Sequence, residues 1–304
     1  MMEHMGSTTL QLSDAPVYSW EAPPPSPRRS RRSFMQAGML SMMNLIMGSP
    51  GHSSEAASEV QSGSPRSLLD EVIAAQGGLD RWREFTRFTV QMSLYGGLFD
   101  RKGHGGGELA HLICDGATRD EFLRMTGFRE PDLCLVYRPD RVSLERTDGT
   151  VLQARDNPRE AFAGHTAMTQ WDDLHLAYFS GYANWNYFVV PFVFADPGFQ
   201  CEETGTWHED GETWRRLKVT YPSGFVSHSS VQTFYFDTNG LLRRLDYGAT
   251  IAGTGRIAHY CDEHKAFDGI IMPTKRRAYR LDAEGNPLKA SVWVGLDIPS
   301  AEFR

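Results

Sequence analysis

The segment WDDLHLAYFSGYANWNYFVVPFVF, Trp171 to Phe194, constrains the fold of this chain more than any other stretch. Leu174, Tyr178, Tyr182, Trp185 and Phe188 follow one approximate helical stripe, but the positions between them are apolar as well. The spacing therefore predicts a helix that is apolar nearly all round. Asp172 and Asp173 stand at its start, where carboxylates favour the positive end of the helix dipole, and Pro191 closes it. A helix without a polar face must be covered on most sides, and the rest of the chain has to provide the cover.

The cover is written in a different period. From Phe88 onward, apart from the aromatic segment, the apolar residues recur every second position. Strands are expected over 88–94, 108–114, 118–125, 134–138, 141–146, 151–154, 199–203, 213–221, 232–236, 241–251, 257–267, 271–280 and 288–296. Most are joined by tight-turn chemistry such as Thr147-Asp148-Gly149, Asp237-Thr238-Asn239-Gly240 and Asp268-Gly269. Ahead of them, Ser64-Pro65 opens an amphipathic helix carrying Leu68, Leu69, Val72 and Ile73, which Gly77 stops. LDRWREF continues as a short second helix with Leu79, Trp82 and Phe85 on one face. The expected architecture is mainly β with helices (α+β): a curved antiparallel half-barrel sheet wrapped around the central apolar helix. DRKGHGGGELAH, Asp100 to His111, reads as a mobile hairpin loop, because its glycines carry neither a P-loop Lys-Ser/Thr nor a dinucleotide fingerprint.

Three regions follow along the chain. Residues 1–29, rich in Pro, Ser and Gly, are too polar and too broken by proline to fold and read as a disordered extension. Residues 30–57 read as a twin-arginine signal peptide: Ser30-Arg31-Arg32-Ser33-Phe34-Met35-Gln36, an apolar run to Met47 too short to span a bilayer, and a small-x-small cleavage site at Ser54-Glu55-Ala56. Residues 64–298 form a single half-barrel domain. Export through a twin-arginine route places the domain in the periplasm or outside the cell; translation from Met35, Met39 or Met42 leaves it in the cytoplasm. Cys114, Cys134, Cys201 and Cys261 do not decide, since they suit two disulfides outside or buried thiols inside. With a net charge of −7 and basic residues scattered among acids, no nucleic-acid partner is expected, and no stable membrane insertion either.

The second half of the chain resembles the lipoprotein-carrier-like superfamily, the half-barrel fold of the outer-membrane lipoprotein-sorting proteins. The resemblance is carried by QTFYFDTNGLLRRLDY, Gln232 to Tyr247, and HYCDEHKAFDGIIMPTKRRAY, His259 to Tyr279. In these stretches Phe236-Asp237, Asn239-Gly240, Leu242-Arg243, Asp268-Gly269, Ile270-Ile271 and Pro273 match its recurring hairpins. The whole chain is also similar to a bacterial family that pairs AAxGGLxRW, here Ala74 to Trp82, with YFxGYAxWNY, here Tyr178 to Tyr187. The resemblance implies the half-barrel fold, and no activity.

The chemistry-bearing residues support few reactions. His259, Cys261 and His264 are zinc-ligand types, but on a strand His264 faces away from the other two, so no metal is expected. SGFVSHSSV around His228 lacks a nucleophile elbow and reads as loop. No cofactor is implied. General acid/base work is open to Asp172, His175, His228 and His259, with Asp246 beside them, whereas helix capping and solvation explain the same groups without catalysis. The aromatic excess, 12% of residues, is the strongest signal. Tyr178, Tyr182, Trp185, Tyr187, Phe188, Trp207 and Trp214 are the candidate lining of a cavity between sheet and helix, suited to a hydrophobic small molecule or lipid. The same rings can instead fill the barrel, and cavity volume decides. The function expected is binding or carrying of such a ligand; the alternative is a cyclase or isomerase type of enzyme acting on a hydrophobic metabolite in the same cavity.

Overall fold

The structure is a computed structural model that describes residues 66–304. The expected extension and signal peptide, 1–29 and 30–57, lie outside the described residues. Ser67 caps helix α1 (Leu68–Ala75) through a reciprocal capping box with Asp70, and Leu68, Val72 and Ile73 turn inward. Helix α2 (Leu79–Glu84) buries Trp82, which stacks on Phe192 at 4.5 Å.

Two meanders follow, interrupted once. The first contains β1 (Arg87–Tyr95), a short helix α3 (Gly97–Lys102), then β2 (Leu112–Ala117), β3 (Leu123–Thr126), β4 (Leu133–Tyr137), β5 (Arg141–Arg146) and β6 (Val151–Asp156). Helix α4 (Asp173–Val189) is the interruption. The second meander runs through β7 (Gln200–Glu209), β8 (Glu212–Thr220), β9 (Val231–Phe236), β10 (Leu242–Gly248), β11 (Arg256–Phe267), β12 (Ile270–Arg280) and β13 (Val294–Phe303). All thirteen strands belong to one antiparallel sheet in which β1 pairs with β13, so that β6 and β7 are its edges. The helix thus connects the two edge strands and returns the chain across the concave side of an open half-barrel. It packs mainly against β3, β4 and β5.

Of the sixteen residues 174–189 of α4, fifteen are buried, His175 alone being intermediate. The helix approaches the sheet closely at Gly181, where a Cβ would meet Tyr137 Cβ at 2.2 Å. Any larger residue there would push α4 off β4. Each ring sealed in this layer contributes about 1.5–3 kcal/mol of burial.

Several segments differ from the sequence expectation, among them β2 at 112–117 instead of 108–114 and β3 at 123–126 instead of 118–125. α4 ends at Val189, just before the Pro191 expected to close it, since Pro191 cannot donate the next helical hydrogen bond. β7 continues to Glu209 because an irregularity at Gly205, with φ +87°, absorbs the register shift between Glu203 and Thr206. The last strand lies at 294–303 instead of 288–296: Ile298 and Pro299 form a bulge between the pairs Ser93↔Asp297 and Gln91↔Ser300, so the proline needs no ladder bond. Asp100–His111 is not a simple hairpin loop. Lys102, fully buried, donates from Nζ to the carbonyls of Thr166 (2.9 Å), Ala167 (3.3 Å) and Thr169 (3.1 Å), and clamps the segment that leads into α4. Among the described residues no helix is long and apolar enough to cross a membrane.

Candidate functional site

The alternation of β9 to β12 sends Phe234, Leu245, Tyr247, His259, Cys261 and Ala278 toward α4. Between these strands and the C-terminal half of the helix lies a chain of hydrogen bonds. Tyr182 Oη meets His228 Nδ1 at 2.9 Å, Tyr187 Oη meets His228 Nε2 at 2.8 Å, Tyr187 and Tyr247 hydroxyls meet at 3.0 Å, and Tyr247 Oη meets His259 Nδ1 at 3.3 Å. The Tyr247 ring stacks on His228 at 4.2 Å with 5° between planes. Burial lowers the pKa of His228 to about 3, and it holds that of His259 well below the ordinary histidine value, with Arg276 adding to the effect. Both imidazoles are therefore neutral at pH 7.

His228 reaches this position from the β8–β9 loop, residues 221–230, which dips between helix and sheet. Asn186 Nδ2 donates to the Val226 carbonyl at 3.0 Å, and Val226 N–H donates to the Glu121 carboxylate at 3.3 Å. Glu121 also accepts from Tyr137 Oη at 3.0 Å, yet desolvation outweighs both bonds and raises its pKa to about 7. Behind the loop is a cavity of about 10 Å³, the space of a single water, bounded by Tyr187, Val190, Tyr221, Phe234, Leu245 and Arg276 among others. In front of it a groove of about 280 Å³ runs along Arg159, Tyr221, Pro222, Phe225 and Val226. Tyr221 lines both spaces. The loop is the partition between them.

The expected site residues divide into three groups. Asp172 and His175 form a capping box at the N-terminus of α4; Asp172 also pairs with Arg155 at 2.5 Å and His175 Nε2 meets the Ala161 carbonyl at 3.1 Å. The Arg155 and backbone hydrogen bonds outweigh desolvation and hold the Asp172 carboxyl at about 2. Ten residues of helix, about 15 Å, separate Asp172 from Tyr182, so this pair does not join His228. Tyr178, Tyr182, Trp185, Tyr187 and Phe188 are all buried between helix and sheet, where Tyr187 borders the cavity, Trp185 Nε1 donates to the Ala117 carbonyl and Phe188 packs edge-on to Phe88. Trp207 and Trp214 do not line this space. They pair across β7 and β8 on the opposite face of the sheet, around Tyr235 and Arg244, because their alternation parity is that of Arg244 and not of Leu245.

Tyr221, Gln232, Tyr247 and Arg276 complete the inner site and were not among the sequence candidates. A signal for Arg276 existed: Ile270, Met272, Thr274, Arg276 and Ala278 share one parity of β12, and all are buried. All four cysteines are unpaired.

No protein-family model and no curated protein matches this sequence. Among solved structures the chain is similar to a DUF1329 family protein from Desulfovibrio piger, at 14% identity over 78% of this chain and 91% of that one, with a TM-score of 0.43. It is also similar to a LolA superfamily protein from Nitrosomonas europaea, at 10% identity over 78% and 92% with a TM-score of 0.42. A domain assigned to outer-membrane lipoprotein sorting from Vibrio parahaemolyticus gives 10% identity over 78% and 91%, with a TM-score of 0.45.

Proposed function

We propose that this protein binds and carries a hydrophobic small molecule or lipid between its sheet and α4, entering where loop 221–230 separates the inner cavity from the outer groove. The observation that supports the reading is this partition: a single aromatic residue, Tyr221, borders a 10 Å³ cavity on one side and a 280 Å³ groove on the other. Moving the loop outward merges the two into a space walled by Val190, Phe225, Phe234, Leu242 and Leu245, apolar enough for an acyl chain or a ring system. In this arrangement His228 fills the place that the guest would take.

The enzymatic alternative is weaker. Asp172 and His175 are committed to capping, and both ring nitrogens of His228 are bonded by tyrosine hydroxyls, which leaves His259 alone to move a proton. We further propose that the folded domain, which β13 carries past the expected end at 298 to Phe303, is the cargo of a twin-arginine leader cleaved after Ala56.

Native mass spectrometry of the full chain purified from its own host tests both parts. The expected result is a mature N-terminus near Ala57 and one extractable apolar molecule per chain, or, for protein stripped of it, stoichiometric uptake of N-phenylnaphthylamine with a rise in its fluorescence. Protein that carries nothing and takes up no apolar probe would overturn the binding reading, and an uncleaved chain the export reading.

A further inference from the structure

The inner cavity contains a charge that the protein itself does not neutralise. Arg276 is 1% exposed. Its Nη2 donates to the Tyr187 carbonyl at 3.0 Å, its Nη1 contacts Cys261 Sγ at 3.3 Å, and its guanidinium lies 5.0 Å from the Tyr187 ring centre. Nε has no partner, and among the described residues no carboxylate lies within ion-pair distance of the group. A guanidinium keeps its charge in a protein interior, and a buried charge without a counter-ion is strongly disfavoured. The neighbours do not compensate: His259 is neutral and burial pushes the Cys261 thiol up to about 11, so neither supplies a negative charge. His259 Nε2, on the adjacent strand, is also without a partner.

Val190, Phe234, Leu242 and Leu245 face the same cavity, and the other polar side chains on it, Asn186, His228 and Gln232, carry no negative charge. One uncompensated cation against hydrocarbon selects one kind of guest. We infer that, with loop 221–230 moved outward, the enlarged cavity receives the headgroup of a singly charged amphipathic anion, a carboxylate or phosphodiester on an apolar tail, with Arg276 as its counter-ion and the tail running past Tyr221 toward Phe225. Arg276 offers the planar fork that such headgroups bind. This inference rests on the binding reading above and specifies its ligand class.

Equilibrium binding to the full chain, with laurate, methyl laurate and lauroyl-lysophosphatidylglycerol as probes of equal tail length, tests it. Laurate or the lysolipid is expected to bind at least tenfold more tightly than the uncharged ester, and the tighter of the two names the headgroup. Arg276→Met is expected to erase the difference between laurate and its ester while leaving ester binding in place; Arg159→Gln, at the groove, is expected to preserve it. Equal binding of laurate and ester to the unaltered chain would overturn the headgroup assignment while the binding reading stands, as would loss of the preference in Arg159→Gln but not in Arg276→Met. Acetate bound as tightly as laurate would remove the tail from the inference. Failure of every probe, N-phenylnaphthylamine included, would bring down the binding reading itself.

Discussion

Two buried arginines, on β10 and β12 with β11 between them, sit on opposite faces of the same sheet and are treated in opposite ways. Arg244, on β10, is 2% exposed and enclosed by Glu209 at 2.7 Å, Asp246 at 2.7 Å and the rings of Trp207, Tyr235 and Tyr260. Arg276, on β12, has a thiol, a carbonyl and a ring, and no acid. The outer arginine is neutralised by the chain and acts as a structural knot. The inner one is left incomplete beside a cavity, which marks the face of the sheet where a guest belongs.

The largest expected effect breaks the knot. Arg244→Met leaves the Asp246 carboxylate without its cation and Glu209 with only the exposed Lys289 at 3.5 Å, and urea unfolding should show a loss of about 3–5 kcal/mol. A loss under 1 kcal/mol would mean that the outer cluster is solvated in fact and that the contrast between the two faces is smaller than the geometry states.

Next in size is the plug. His228→Phe keeps an aromatic ring stacked on Tyr247 but leaves the hydroxyls of Tyr182 and Tyr187 without their imidazole partner. The expected cost is about 2–3 kcal/mol in the same measurement, since a buried polar group without its bond loses about 1–3 kcal/mol. An unchanged midpoint would show that the loop does not hold its place through His228.

The third prediction concerns pH, and its sign follows from the direction of the shift. Burial raises the Glu121 pKa from 4.5 to about 7, so the fold favours the protonated acid. Its contribution is fully present below pH 4.5 and is lost as pH rises through about 7. Relative to Glu121→Gln, the unaltered chain should lose on the order of 2 kcal/mol between pH 5 and pH 8. His228 runs the other way, its stabilising neutral form being lost as pH falls from 6.5 toward about 3, but it is common to both proteins and cancels in the difference. Parallel stability curves for the two would exclude Glu121 as a pH-sensitive hold on loop 221–230.

The smallest effect is expected at the inner arginine, and its smallness is the point. Arg276→Met removes an uncompensated buried charge in exchange for an apolar side chain, so stability should stay level or rise by about 1 kcal/mol. A loss comparable to that of Arg244→Met would show that Arg276 is structural after all, and would erase the distinction between the faces.

Much of this was legible along the chain. Thirteen alternating runs predicted thirteen strands, and Asp237-Thr238-Asn239-Gly240 and Asp268-Gly269 sit in the hairpins expected of them, because a period of two and a tight turn are properties of consecutive residues. The unbroken apolarity of 174–189 likewise required a cover around α4. Parity was where the reading of the site went astray. Trp207 and Trp214 look like cavity residues in sequence, but which face of a strand is concave depends on how the sheet curves, and that is set by its partners. The same ambiguity hid Arg276: a Lys-Arg-Arg run reads as a solvated edge until Met272 and Ala278 fix which alternate positions turn inward.

The sequence by itself determined the elements, the order of the hairpins and the demand for a curved sheet, since local periodicity and turn chemistry act over a few residues at a time. The tertiary structure alone decided that Tyr182 and Tyr187 from α4 meet His228 from a loop 41 or more positions away and Tyr247 from β10, and that Arg276 is enclosed without an acid. Those contacts join segments far apart in the chain. Their energies depend on burial and on the precise approach of unlike surfaces, and no pattern of neighbouring residues records either.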